Sequence, residues 1–415
     1  MASHGVARTT GPRTEERRKQ DLQKIDKYRA LEDGIREEVS NKTYSPKTFQ
    51  LTTKLLELNP EYYTIWNARR RCLTSGLLSR PSASSSRSRG LSSGSPTNTS
   101  STSYADALSS SSAATTPLDP APRTTGRSGT TADEAAEDKK YSNEKENLEK
   151  DVGFLKEELV WTARLLKGFP KCYWIWNYRL WLLGEATKRF PVPTSRRIWE
   201  NELALVSQML TKDNRNFHAW GYRRFVVGAL EREELGGKSM AESEFEYTTK
   251  MIHWSLSNFS AWHNRSKLIP RLLGERGADD KKRQKFLDAE LDLVREALNV
   301  GPEDQSLWYY HQFLILNLIN DVKQATIVPN ITVEQKSEYV QREIDDIKDF
   351  LEDYDDIKWI YEALLEYTLA LAKLESREAT TSEKEDLKTW LTKLRELDPM
   401  RKGRWDDVEK EYGLN

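Results

Sequence analysis

The sequence predicts an all-α protein, an α-solenoid of stacked helical hairpins, and three observations predict it. Five segments recur: YYTIWNARR (Tyr62 to Arg70), CYWIWNYRL (Cys172 to Leu180), NFHAWGYRR (Asn216 to Arg224), NFSAWHNRS (Asn258 to Ser266) and DQSLWYYHQ (Asp304 to Gln312). Aligned on Trp66, Trp176, Trp220, Trp262 and Trp308, they keep residue classes at fixed offsets, the mark of a repeat array. Three residues after the Trp stand Arg69, Arg179, Arg223, Arg265 and then His311, and three before it Tyr63, Tyr173, Phe217 and Phe259, with Gln305 breaking the row. The third observation is spacing: successive tryptophans lie 110, 44, 42 and 46 residues apart, and a unit of about 44 suits one helical hairpin. The aromatic, the Trp and the Arg fall one turn apart, on one face of the second helix of each hairpin.

In chain order, residues 1–45 are a polar tail and a charged helix in which Leu22, Ile25, Tyr28 and Leu31 recur at helical spacing. Residues 46–78 form the first repeat. Asn59-Pro60 here, and Gly301-Pro302 later, mark the elbow, where a cap and a Pro at the first helical position are expected. Residues 79–138 are Ser/Thr/Pro-rich, with too little apolar surface to offset their ordering entropy, and are expected to be a disordered insertion that explains the long first spacing. Residues 139–320 carry repeats two to five. Residues 321–415 hold a degenerate sixth repeat, centred near Trp359, and further C-terminal helices: Glu334 to Tyr354, Asp356 to Leu374 and Ser382 to Leu397.

Composition excludes several functions. The 64 basic residues balance 65 acidic ones, so no nucleic-acid partner is expected. No apolar run of membrane-spanning length and no secretory leader is apparent, which predicts a cytoplasmic protein without membrane insertion. Cys72 and Cys172 suit buried, reduced thiols. The histidines, His4, His218, His253, His263 and His311, keep no metal-ligand spacing, and no phosphate loop or nucleophile elbow occurs, so this chain is expected to bind no metal or cofactor. The repeat histidines are expected to be groove or surface residues.

The repeated Trp and Arg are most simply structural. Glu158, Glu202, Glu244 and Glu290 stand eighteen residues before the Trp, as far before the elbow as the cation lies beyond it. This predicts pairing within each hairpin: Glu158 with Arg179, Glu202 with Arg223, Glu244 with Arg265 and Glu290 with His311. Function is to be sought where the copies differ. Five residues before the Trp stand Glu61, Lys171, Arg215, Ser257 and Glu303. Lys171 and Arg215 open their helices, where backbone N–H groups also favour anions, so they form an anion-binding edge or remain two solvated surface cations.

The W-x-x-R helices resemble the prenyltransferase α-subunit repeat, and NFHAWGYRRFVV, SNFSAWHNRSKLIP, DQSLWYYHQFLI and PKCYWIWNYRLWLLG are similar to repeats of the Rab geranylgeranyltransferase α-subunit family. The chain stops at Asn415, which suggests the shorter, fungal-type form. The resemblance implies a crescent of hairpins in an obligate heterodimer with a barrel-shaped β subunit. That β subunit is expected to carry the zinc and the geranylgeranyl diphosphate, and the acceptor cysteines to belong to Rab GTPases presented by a Rab escort protein. Related farnesyltransferase α subunits place a diphosphate-facing lysine where Arg215 stands, and Asn258 matches another position near their active site. The α subunit of farnesyltransferase and type I geranylgeranyltransferase is the alternative, and a non-enzymatic repeat scaffold a second.

Deleting residues 79–138 is expected to leave folding and transfer nearly unchanged, because each doubling of a surface loop costs only about 0.6 kcal/mol. Circular dichroism and thermal unfolding of the deletion protein check this, and a protein that no longer folds makes the segment structural.

Overall fold

The computed structural model describes residues 14–79, 131–320 and 326–414, with only the helical course described for 131–141. His4, most of the expected insertion (80–130) and 321–325 lie outside the described residues. Among the described residues the regular structure is helical, without strands. The chain divides into two compact units, Met1–Ile198 and Trp199–Asn415.

In the first unit, α1 (Glu15–Ser40) starts at Thr14, whose hydroxyl accepts from the Arg17 N–H. Ile35 is its buried residue, while Leu22 and Ile25 remain exposed, so the expected apolar face docks only toward its C-terminal end. α2 (Pro46–Leu58) is capped by Ser45, with Pro46 in the first turn where its missing N–H costs nothing. α3 (Tyr63–Cys72) completes the first hairpin and runs into a π-helical turn, Leu73–Leu77. α4 (Thr131–Gly168) and α5 (Tyr173–Arg189) form the second. α4 thus begins inside the expected insertion. At its other end, the Ser79 N–H donates to Asp151 and its carbonyl accepts from Arg189, so the deletion that spares described structure runs from 80 to 130.

α6 (Val192–Lys212) contains the unit boundary. The second unit continues with α7 (Phe217–Leu230), α8 (Ala241–Trp254), α9 (Phe259–Glu275), α10 (Asp280–Val300) and α11 (Gln305–Ile319). α12 (Val333–Asp353) and α13 (Lys358–Leu374) follow, then α14 (Thr381–Leu397) and α15 (Lys402–Glu411). The second helices stack on one another, α9 on α11 and α11 on α13.

Every repeat Trp is buried, and its indole N–H locks its own elbow. Trp66 donates to the Pro60 carbonyl at 2.8 Å, Trp176 to Pro170 at 3.0 Å, Trp220 to Asn214 at 2.8 Å, Trp262 to Leu256 at 2.7 Å and Trp308 to Pro302 at 2.6 Å. The prolines of the elbows are therefore carbonyl acceptors ahead of the helix rather than its first residues: α3 begins at Tyr63 and α11 at Gln305. In the sixth hairpin Tyr361, not Trp359, takes this part, donating to the Asp355 carbonyl at 2.9 Å. The aromatic three before the Trp does not share its burial, and Phe217 is 68% exposed. A helical side chain tilts toward its own N-terminus, so from the first residue it reaches past the elbow instead of onto the core.

The carboxylates meet the arginines, but one repeat further on than the sequence suggests. In the first unit Arg69 grips Glu158 through two bonds, Nε to Oε2 at 2.7 Å and Nη2 to Oε1 at 2.6 Å. In the second unit Arg223 holds Glu244 and Arg265 holds Glu290 in the same bidentate way. Within its own hairpin the carboxylate instead accepts from the tyrosine two after the Trp: Tyr178 to Glu158, Tyr222 to Glu202 and Tyr310 to Glu290. The arginine's last nitrogen turns back to its own first helix, where Thr52, Thr162, Ser207 and Thr249 accept.

His311 corrects a second expectation. It is fully buried, sharing Glu343 with Arg295 and bonding the Tyr367 hydroxyl through its other nitrogen. Burial alone would raise the Glu343 carboxyl, but hydrogen bonds from His311 and Arg295 outweigh it and hold the pKa at about 2.

The Arg223–Glu244 clip makes a direct prediction. Arg223→Ala strands a buried carboxylate and should cost about 3–5 kcal/mol of stability. A double-mutant cycle with Glu244→Ala, followed by urea denaturation, should return a coupling above about 1 kcal/mol. Additive losses would mean that the two charges act independently.

Candidate functional site

The outward offsets differ from repeat to repeat, and the elbows of the third and fourth repeats are where they converge. Asn216 caps α7 through the N–H groups of His218 and Ala219, and Asn258 caps α9 through that of Ala261. Both asparagines are buried, whereas Tyr62 and Cys172 at the equivalent places make no side-chain cap.

Arg215 precedes the first of these caps and is exposed. Its Nη2 donates to both the carbonyl and the hydroxyl of Ser257, the residue next to Asn258. The hydroxyl of Ser306 donates to the same Ser257 carbonyl at 3.4 Å. The structure therefore brings Arg215 and Asn258, 43 positions apart in the chain, to one elbow. Lys171 is an exposed residue of the first unit, before α5.

The chemistry of this elbow is that of a donor cluster. Ser257 engages only one guanidinium nitrogen, so further N–H groups of Arg215 remain to meet an anion, at the positive end of α7. Asn258 spends its oxygen on the cap, while its amide nitrogen is buried without an acceptor, an unmet donor that a buried group does not leave unmet without cost. Ser257 carries no signal of its own in the sequence. Its part follows from its carbonyl standing within reach of an arginine one repeat back.

Elsewhere the described residues offer binding surfaces rather than reactive groups. Cys72 and Cys172 are free and buried, and burial pushes both thiols up to about 11. Among the described residues no three His, Cys, Asp or Glu are placed to hold a metal ion, and no helix is long and apolar enough to cross a membrane. A charged groove between α10 and α12 is lined by Asp288, Asp292, Arg295, Glu338, Tyr339 and Arg342. Tyr63, Tyr173, Phe217 and Phe259, the first residues of the second helices in repeats one to four, are exposed.

Five stretches of the chain, 46–76, 155–186, 199–230, 241–272 and 287–318, match the protein prenyltransferase alpha subunit repeat, the class that the hairpins and their W-x-x-R helices define. Over 410 residues the chain is 30% identical to the geranylgeranyl transferase type-2 subunit alpha of Saccharomyces cerevisiae, spanning 97% of both proteins. It is 30% identical over 423 residues to the protein of that name from Schizosaccharomyces pombe, spanning 99% of both. A 168-residue stretch is 37% identical to its Homo sapiens namesake, covering 40% of this chain and 27% of that protein. The chain belongs to the family of geranylgeranyl transferase type-2 α subunits.

Proposed function

We propose that this chain is the α subunit of a heterodimeric enzyme that transfers geranylgeranyl from its diphosphate to C-terminal cysteines of Rab GTPases, which a Rab escort protein presents. The observation that carries the reading is the likeness, over nearly the whole chain, to fungal type-2 α subunits. The described residues do not fit a zinc site, so the zinc belongs in this reading to the β subunit, together with the lipid pocket.

The part of this chain in the reaction is electrostatic. As the bond from the lipid carbon to the bridging oxygen breaks and the bond to sulfur forms, negative charge gathers on the departing diphosphate. A fixed cation stabilises that state more than the ground state. Arg215 is the group we assign to it, tethered through Ser257 beside the unmet amide of Asn258. Arginine offers a planar fork where related farnesyltransferases use a point charge, so the contact differs in geometry but not in sign.

The purified chain alone should show no prenyl transfer, and equimolar β subunit should restore it. Turnover by the lone chain would overturn this division of labour. In the reconstituted complex, Arg215→Ala should lower the single-turnover rate about 10- to 150-fold, the equivalent of one charge-assisted hydrogen bond. Arg215→Lys should recover part of it. Wild-type turnover by Arg215→Ala would make the residue a structural tether of the elbow.

A further inference from the structure

Four residues after the repeat Trp stand Arg70, Leu180, Arg224, Ser266 and Gln312, so this outward offset carries a cation in two copies only. Each of the two lies in a different compact unit, with surroundings of its own.

In the first unit Arg70 follows Arg69 directly, yet their situations are opposite. Arg69 is neutralised by Glu158 and stacked between the rings of Phe49 and Trp161. Arg70 is half-buried and meets only neutral acceptors: the carboxamide oxygen of Asn67 at 2.9 Å and that of Asn177 at 2.7 Å. The rings of Tyr178 and Trp181 lie 5.7 and 5.8 Å from its guanidinium carbon. Its Nε is buried and has no acceptor. Burial lowers its pKa, as happens to a cation that no carboxylate compensates. The exposed ring of Tyr63, one residue type that interfaces favour, stands on the same helix and packs against Trp174 at 5.4 Å.

In the second unit Arg224 stands at the same offset on α7, but it is exposed. Its Nη2 comes within 3.9 Å of where a side chain on Gly221 would begin, and no ion pair holds it among the described residues. Desolvation alone lowers its pKa. The charged groups felt by neighbouring His263 are Lys267 and Arg224, both cations. Exposed Phe217 and Phe225 lie on the same helix.

A guanidinium that no carboxylate compensates, beside exposed aromatic side chains, gains when a carboxylate arrives with a surface that excludes water, and Arg70, half-buried with an unmet Nε, gains most. We propose that Arg70 and Arg224 are sockets for carboxylate side chains of the β subunit, each on a helix that also carries exposed aromatic side chains. This deepens the proposed function and rests on its assignment of a β partner. The complementary surface is apolar with isolated Asp or Glu residues, not a uniformly acidic one, because each socket offers a single unpaired guanidinium.

The test is assembly with purified β subunit across a salt series, comparing wild type with Arg70→Ala, Arg224→Ala, both together, and the Arg→Lys pair. Circular dichroism confirms that each variant is folded. Each alanine should weaken assembly at least about 10-fold, mainly through faster dissociation, and the double variant should flatten the salt dependence. The lysine pair should retain part of the affinity, and reversing the partner carboxylates should rescue Arg→Glu variants. Wild-type assembly and salt dependence in the double alanine variant would overturn the sockets while leaving the heterodimer intact. A wild-type chain that captures no β subunit would instead defeat the underlying assignment, and the sockets with it. Loss of binding to phosphatidylserine vesicles by the double variant, with assembly unchanged, would reassign the arginines to an anionic lipid.

Discussion

The buried Arg–Glu clip is the interaction on which the rest of the array depends. A buried ion pair gains little net stability over a well-packed apolar pair, because removing two charges from water consumes most of what their attraction returns. Its effect is on alternatives. If Arg223 slipped by one turn against α8, both it and Glu244 would stay buried without each other. The bidentate fork therefore makes one register far better than its neighbours, as Arg265 does with Glu290. Where the carboxylate's own hairpin has a tyrosine, as Tyr178 for Glu158 and Tyr310 for Glu290, its hydroxyl holds the carboxylate as well, and the ring under each guanidinium, such as Tyr247 at 3.4 Å from Arg223, closes the space around it.

Tryptophan solves a second problem, that of the elbow. A tight turn between antiparallel helices leaves carbonyls that no helix satisfies. The indole supplies a donor on a ring large enough to reach six residues back while its body fills the gap between hairpins: Trp66 packs against Tyr178 at 4.8 Å and Trp262 against Tyr310 at 4.6 Å. Tyr361 shows that the requirement is for a reaching donor on an aromatic body, since a phenol meets it in the sixth hairpin.

These two devices explain what was legible in the sequence and what was not. The period, the hairpins and the elbows follow from the Trp and Arg offsets alone. The partner of each arginine does not, because a carboxylate eighteen residues before the Trp stands between two cations in the chain, its own hairpin's and the preceding one's. The recurring Glu–Tyr pairs, 158 with 178, 202 with 222 and 290 with 310, held the missing signal: the carboxylate already had a donor inside its hairpin. His311 was hard to place for a related reason. It occupies an arginine's offset with a shorter reach, and only the convergence of Glu343, Arg295 and Tyr367 makes it a buried residue. At the candidate site, charge and helix position singled out Arg215, but its tether to Ser257 is a contact between elbows, invisible to any pattern within one repeat.

A repeat array divides its residues by direction, and function follows that division. The inward offsets, Trp and the cation three beyond it, are held nearly constant because each must fit the next hairpin. The outward offsets are released from that constraint: Glu61, Lys171, Arg215, Ser257 and Glu303 at one, Arg70, Leu180, Arg224, Ser266 and Gln312 at another. Variation there is not loss of pattern, since the scaffold presents every outward position at a fixed place on its own helix. Charge can then be set one repeat at a time, which is how a chain with a net charge of −1 comes to carry both a carboxylate-bearing groove between first helices and unpaired arginines on second helices.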